Sequence, residues 1–412
     1  MRKFVVVLFL FNLLVLPRCT TKVIPGNTKK SHKINLIHKL YEIENISNPE
    51  KQIMEANKLW DSLILVTTLP YIKNDTVIFL YKTSSDTVHL AGDMTAWRLP
   101  DSYRFNKIGS SDLHYQVKTF PSDARLDYKV VIDKKEWNTD PQNPNYQVSG
   151  FGKNSFFAMP KYVPSRFVEP VSSKKNGNIS ETLFIKSKTL DNQVRYWVYL
   201  PPGYDKLINL PAVYVLDGHE YKTPKIGSMK EVLDNLILEK RIKPVMVIFV
   251  DPINPVTNQN QRADLYLNNE KYAEFFKTEL IPTIDSIYRT KPNAENRLIM
   301  GTSYGGNCAA YFGYFMPEVF GLIGMQSPSF NSDVQELYLL SDNLNLKKVF
   351  ISTGVIYDTE VYADKIEKEL KRLSIPYKYL KVNEGHSWGN WSALLDDLLI
   401  YFFEETKNTD QK

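Results

Sequence analysis

Ser303 stands in Leu298-Ile299-Met300-Gly301-Thr302-Ser303-Tyr304-Gly305-Gly306. An apolar strand-like run enters Gly-x-Ser-x-Gly, and a helical stretch follows. Chemistry at such a site needs a sharp turn that pushes the serine hydroxyl out at the edge of a sheet. Gly301 and Gly305 leave no side chain where strand and helix backbones crowd together. The N-terminus of the following helix also favours negative charge near Ser303. A tight strand–helix connection without chemistry would use the same glycines. The extra Gly306 and the position late in an alternating strand–helix region favour a nucleophile.

A serine hydroxyl needs a base. Of six histidines, His32, His38, His89 and His114 precede the strand–helix region, and His219 precedes Ser303. In this kind of site the chain order is serine, acid, histidine, and only His386 follows Ser303. It lies in Asn383-Glu384-Gly385-His386-Ser387-Trp388, just after a strand-like run, Tyr377 to Val382. The acid must orient the imidazole and stabilise its cation. Ten carboxylates separate Ser303 from His386. Most fall on helical or irregular polar stretches, whereas Asp358 follows the strand-like run that begins at Val349. Asp358 is therefore the expected acid. Glu360 is the nearest rival, and Glu384 a poorer one because it almost touches the base in sequence.

An acyl-transfer site also needs two N–H groups for the developing oxyanion. One is expected from Tyr304, next to the nucleophile. The other is expected from His219, in the loop after Val213-Tyr214-Val215-Leu216-Asp217-Gly218. The His219 side chain reads equally well as a pocket-lining group or as a satisfied loop histidine.

These residues need a parallel sheet with helices to carry them. From about residue 181, strand-like runs (Tyr196 to Leu200, Ala212 to Leu216, Val245 to Val250, Leu298 to Met300, Val349 to Ser352) alternate with helical stretches (Lys230 to Glu239, Lys271 to Tyr288, Asn307 to Phe315, Tyr362 to Leu373). That alternation predicts an α/β region with a mainly parallel sheet over 181–405. Before it, 70–160 has short alternating runs broken by turn residues, the pattern of an all-β sandwich. A Pro/Ser/Lys/Asn/Gly-rich linker at 161–180 joins the two. Residues 20–69 read as a polar tether and one or two short helices, with Leu36, Leu40 and Ile43 at helical spacing.

The first 19 residues read as an export signal. Met1-Arg2-Lys3 is a charged start, and Phe4 to Pro17 is an almost unbroken apolar run of 14 residues. That is short for a membrane span and suits a signal peptide. Cys19 follows, placed as the lipidated cysteine of a bacterial lipoprotein would be, although Pro17-Arg18 replaces the small residues expected before it. The competing reading leaves Cys19 unmodified. The expected location is exported, periplasmic or at the cell surface, with membrane attachment through a lipid on Cys19.

Composition sets the outer bounds. With 412 residues, 43% hydrophobic and 13% aromatic, the chain has the apolar mass for a large core and is not a disordered chain. A net charge of +5 is mild, and with no basic run it gives no sign of nucleic acid as a partner. Two cysteines make no disulfide scaffold. Without Cys-x-x-Cys or His-Glu-x-x-His, no metal site is expected, and no cofactor.

Taken together, the motifs resemble the putative-esterase branch of the α/β-hydrolases, which includes enterochelin, feruloyl and acetyl-xylan esterases. Arg195 to Tyr204 resembles its opening strand and turn. Leu216-Asp217-Gly218 resembles its oxyanion loop, and Arg262-Ala263-Asp264-Leu265 part of its middle region. Gly301 to Gly306 matches the elbow, and Gly385-His386-Ser387-Trp388 with Trp391 the histidine loop. Gly92-Asp93-Met94-Thr95-Ala96-Trp97 and Trp137 to Pro144 resemble an immunoglobulin-like early-set domain, which enterochelin esterases carry in related form. The resemblance implies a serine esterase acting on a small-molecule ester or an acylated glycan. It also makes Arg262, Trp388 and Trp97 candidates to contact substrate. Trp97 and Trp137 would then stack on a sugar or cap the cleft, though packing within the sandwich is the favoured reading of both. A reading from another class, a non-catalytic glycan-binding surface protein, has no need of Ser303, Asp358 and His386 together.

Overall fold

The structure is a computed structural model, and it describes residues 35–171, 176–330 and 332–405. The signal-peptide reading, most of the tether and Cys19 lie outside the described residues.

The chain begins with two helices, Leu36–Glu44 and Pro49–Val66, each started by an asparagine that caps it: Asn35 and Asn48. Pro49 sits at the first helical position, where a missing N–H costs nothing. Their apolar faces, including Leu40, Ile43, Leu59 and Leu63, do not form a separate unit. They bury against Ile78, Leu80, Leu113 and Tyr115 on the outer face of the β region. Ile53 is on the other side of its helix and is exposed.

The β region is two stacked antiparallel sheets. One holds Tyr71–Lys73, Thr76–Lys82, Leu113–Thr119 and Asn106–Lys107, in that spatial order. The other holds Val88–Gly92, Arg125–Ile132, Gly152–Ala158 and Tyr146–Ser149, with Glu136–Asn138 pairing the second of these. Val77 and Phe79 point inward to meet Leu90, Leu126, Tyr128 and Phe157. Ile78 and Leu80, of opposite parity, point outward to the two helices. A strand buried on both faces reads as a continuous apolar run, which is why Val77 to Leu80 show no alternation.

The linker is docked along much of its described length. Phe167 is buried in the core of the following region. Asn235 Nδ2 donates to the carbonyls of Phe167 and Glu169, and the exposed Arg166 pairs with Glu239.

The α/β region is built on a nine-stranded sheet. Its spatial order is Asn178–Ile179, Asn192–Leu200, Met246–Val250, Ala212–Val215, Arg297–Thr302, Leu322–Gln326, Lys348–Gly354 and Tyr377–Val382. Leu183–Ser187 pairs with Asn192–Leu200 as an added hairpin strand. From Met246–Val250 onward every neighbour is parallel, and Asn192–Leu200 joins antiparallel. Helices cover both faces. Ala212 and Tyr214 face one core with Phe276, Phe312 and Ile366, while Val213 and Val215 face the other with Met229, Leu236 and Leu398. Leu322–Gln326 was not anticipated. Its Gly324 interrupts a short apolar run that the sequence pattern alone left unread.

The chain doubles back across Ala212–Val215. It goes from there to Met246–Val250 on one side, then to Arg297–Thr302 on the other. Open α/β sheets bind ligands at the carboxyl ends of strands at such a switch point.

Candidate active site

Ser303 occupies the turn between Arg297–Thr302 and the helix Tyr304–Phe315. Its backbone has φ 57° and ψ −119°, a conformation that L-residues with side chains rarely adopt. Holding it costs on the order of 1–3 kcal/mol, which the surrounding structure must supply. The turn is tied down by Ser303 N–H donating to the Gln326 carbonyl (3.0 Å) and Ser329 N–H donating to the Ser303 carbonyl (3.0 Å). A Cβ on Gly301 would stand 2.7 Å from the Gly305 backbone, so the crossing tolerates no side chain there.

His386 reaches Ser303 from the loop after Tyr377–Val382. Its Nε2 lies 2.9 Å from Ser303 Oγ, and its Nδ1 lies 2.6 Å from Asp358 Oδ1. Asp358 follows Lys348–Gly354, as expected. Its other oxygen accepts from the Ser327 hydroxyl (2.6 Å) and the Gly354 N–H (2.7 Å). Burial pushes the Asp358 carboxyl up. The hydrogen bond and charge of His386, then Ser327 and Gly354, outweigh burial and hold it below the ordinary value. The His386 ring stands edge-on to Trp391, with centroids 4.9 Å apart, and Trp391 Nε1 donates to Ser327 Oγ (2.9 Å). Carboxylate, imidazole and hydroxyl therefore lie in one hydrogen-bonded line.

The rival acids are placed elsewhere. Glu360 pairs with Lys381 on a partly exposed surface. Glu384 is buried, but its bonded neighbours do not include His386.

The expected oxyanion donors lie at adjacent strand ends, since Val215 pairs with Met300. Tyr304 opens its helix, so its N–H has no intrahelical acceptor. His219 lies in the short helix Gly218–Tyr221, after Asp217, whose φ is 55°. The His219 ring lies 3.0 Å from buried Asp251, which also takes Arg195 Nε at 2.7 Å. Burial pushes the His219 imidazole down, but the close Asp251 carboxylate outweighs it and raises its pKa.

Arg262 grips Asp217 with two bonds, Nε to Oδ1 at 2.8 Å and Nη2 to Oδ2 at 2.9 Å. Nη2 also donates to the Thr302 carbonyl (2.9 Å), and the guanidinium packs over the Tyr304 ring. It ties the oxyanion loop to the elbow, so its charge is already paired within the wall of the site. Trp388 is corrected more sharply. It is 4% exposed and packs edge-on against Tyr221 and Trp391, so it supports the histidine loop from below and offers no face to a substrate. Trp97 is half-buried, and its Nε1 donates to Asp93 Oδ1 (3.3 Å), beside Gly385. Trp137 lies on the edge strand Glu136–Asn138 and is 40% exposed.

Ser327, Gln326 and Asp217 were not singled out as site residues. Gln326 ends the strand Leu322–Gln326 and Ser327 follows it, and no local motif marks either. Asp217 is marked in the sequence only as part of its loop. Among the described residues, no group of three or more His, Cys, Asp or Glu is placed to hold a metal ion. No described helix is long and apolar enough to cross a membrane.

The chain is similar to several known proteins. It is 26% identical over 241 residues to the Bacillus subtilis protein YjcH, covering 55% of this chain and 97% of that one. It is 27% identical over 291 residues to an endo-1,4-beta-xylanase/feruloyl esterase of Xylanibacter ruminicola, covering 67% of this chain and 38% of that one. It is 28% identical over 147 residues to an iron(III) enterobactin esterase of Dickeya dadantii, covering 35% of this chain and 32% of that one. The chain thus spans about a third of the length of these two named esterases. In fold, it resembles the enterobactin esterase of Shigella flexneri over 84% of this chain and 97% of that one, with a TM-score of 0.69 at 18% identity. The family described as "Putative esterase" matches residues 187–402, more than half of the chain and all of the elements that carry Ser303, Asp358 and His386. The chain belongs to that esterase family and is, by that membership, a carboxylic ester hydrolase.

Proposed function

We propose that the chain is an exported serine esterase working through an acyl-enzyme. The observation that carries this reading is the line from Asp358 through His386 to Ser303, with contacts of 2.6 and 2.9 Å. Ser303 Oγ attacks the ester carbonyl carbon as its proton passes to His386 Nε2. The carbonyl oxygen becomes an oxyanion facing the N–H groups of Tyr304 and His219. Asp358 holds Nδ1–H and stabilises the imidazolium. Collapse breaks the ester C–O bond, and His386 returns the proton to the departing alkoxide. Water then attacks the acyl-enzyme by the same route and releases the acid. No step calls for a metal or organic cofactor.

The substrate class favoured is a siderophore ester of the enterobactin type. It is supported by the enterobactin esterase relative and by the fold likeness that spans both the sandwich and the α/β region. A second reading, an ester on acylated polysaccharide, is favoured by the match to the xylanase/feruloyl esterase, the longer of the two named-esterase matches. Export, and attachment to a membrane through a lipid on Cys19, rest on the N-terminal sequence alone.

The test is a panel of ferric enterobactin, a feruloyl sugar and acetyl-xylan, read by product mass. Hydrolysis of the first with the others untouched supports the siderophore reading. Preference for feruloyl sugar or acetyl-xylan moves the substrate to polysaccharide. No hydrolysis of any of them, or of p-nitrophenyl acetate, removes the enzymatic reading.

A further inference from the structure

The β-sandwich meets the α/β region at the loop that carries His386. Arg125, at the start of its strand, is 3% exposed. A guanidinium removed from water must be paired. Nη1 donates to Asp127 Oδ1 (2.8 Å), Nη2 donates to Gln147 Oε1 (3.1 Å), and the guanidinium lies 4.2 Å from the Phe156 ring centroid. Asp127 N–H donates in turn to Asp93 Oδ2 (2.8 Å). The result is a largely buried polar plate on the sandwich.

Gly385 of the histidine loop and Gly389 of the helix that follows it, Trp388–Ala393, rest on that plate. A Cβ on Gly389 would stand 2.0 Å from Arg125 Cζ, and one on Gly385 would stand 2.3 Å from Asp93 Cβ. The backbones join as well. Arg125 N–H donates to the Asn383 carbonyl (3.3 Å), and Asn383 Nδ2 donates to Asp123 Oδ1 (2.8 Å). Glu384, between Asn383 and Gly385, is buried with Oε2 unpartnered. The charged and titratable groups facing it are Arg125 and Asp127 from the sandwich, Asp358 from the acid loop, and Tyr162. Burial pushes Glu384 up to about 7. Arg125 opposes that rise, and Asp127 and Asp358 add to it.

We propose that Arg125 is a positioning residue for the general base: with Asp93 and Asp127 it forms a seat that sets the height of the loop around His386, and so the approach of His386 to Ser303. The proposal rests on the Ser303–His386–Asp358 reading above. A displacement of about 1 Å at a reacting group can cost ~100-fold in rate. Without the guanidinium, Asp127, Asp93 and Glu384 lose their shared counter-charge and Gly389 loses its floor. Arg125 touches no reacting atom, so its loss moves kcat and leaves binding of a small ester alone.

The experiment is steady-state hydrolysis of p-nitrophenyl acetate by the full chain over pH 5 to 9. Thermal unfolding is followed alongside. Arg125→Met is expected to lower kcat by roughly 10- to 100-fold, with KM within about twofold of the parent. Arg125→Lys should recover part of the loss. Arg166→Met, at the exposed pair with Glu239, should leave kcat unchanged. Gly389→Ala keeps every charge and pushes only on the seat, so it should lower kcat in the same way. Glu384→Gln should fold and lose an ionisation near pH 7 from the kcat profile. If Arg125→Met does not fold, Gly389→Ala and Glu384→Gln decide. Parent-like kcat in the folded seat variants overturns the proposal, whatever the profile of Glu384→Gln. Ser303→Ala is measured in parallel. If it stays active, the triad reading fails; if it is inactive while the seat variants match the parent, the proposal alone fails.

Discussion

Ser303 and His386 touch, yet they are held in different ways. Ser303 is held by one strand, one turn and one helix, within a stretch of 19 residues, together with the neighbouring strand end at Gln326. His386 sits on a loop supported from three directions: Asp358, Trp391 and the sandwich residues Arg125, Asp93 and Asp123. The acid loop leans the same way, because Ile356 packs against the sandwich core. The oxyanion side is touched too, through Gly150 N–H donating to Glu220 (2.8 Å). In the proposed mechanism the nucleophile is thus a local device and the base an assembled one. A change to the elbow should act alone, whereas a change in the sandwich should reach the base.

The largest expected effect is at the local end. Ser303→Ala should reduce kcat by roughly 10⁶-fold, the size seen when a triad serine is removed. The folded state should persist, and fluorophosphonate labelling should disappear. Labelling that survives at another serine would break the comparison at its root. Next is Asp358→Asn, which leaves the geometry but favours the wrong imidazole tautomer. It should cost about 10⁴-fold in kcat. Glu360→Gln should change kcat by less than twofold, because Glu360 is paired with Lys381 at the surface. The reverse ranking would transfer the acid's role.

Legibility in the sequence follows the same divide. The elbow could be read because its requirements are consecutive: a strand, two glycines, a serine and a helix start. Asp358 and His386 could be read because each follows a strand directly and chain order limits the choice. The strands from Asn192 to Val382 are legible to within a few residues at most ends, apart from Leu322–Gln326. What could not be read is contact between distant segments. Asn383 meets Asp123 across 260 residues, and nothing local to either predicts it. Arg262 shows the same limit. Its motif marked it as important, but only the fold shows that Asp217 and Thr302 occupy its hydrogen bonds. Trp388 was misread for a related reason: an aromatic beside a catalytic histidine looks the same in sequence whether it faces the cleft or the core.

A third test sharpens the comparison between the two sides of the site. Arg262→Met should loosen the oxyanion loop by freeing Asp217, and Asp217 would then be a buried carboxylate without its partner. Loss of one oxyanion donor costs roughly 10²–10³ in kcat, and a loosened donor should cost less, about 10- to 100-fold. KM for a small ester should hardly change if Arg262 acts through the loop. A large rise in KM with kcat retained would restore Arg262 to the substrate-contact role that its motif suggested.

The smallest expected effect is on stability, and it contrasts two carboxyls on either side of His386. Glu384 has its pKa raised from 4.5 to about 7 by burial, so the folded chain keeps a proton that the unfolded chain gives up. Its favourable contribution is complete below about pH 4.5 and is lost as pH rises through about 7. The full difference is about 3 kcal/mol, an upper figure because the buried Arg125, Asp127 and Asp358 around Glu384 are electrostatically coupled to it. Asp358 runs the other way. Its folded pKa is lowered, so its contribution is present above the ordinary aspartate value and is lost as pH falls through the lower, folded one. Melting temperatures from pH 4 to 8 separate the two. Glu384→Gln should gain on the parent by a few degrees between pH 5 and 8. Asp358→Asn should narrow its deficit only at the acid end. If the Glu384→Gln difference stays flat across that range, Glu384 does not titrate there, and burial is not what sets its charge under the histidine loop.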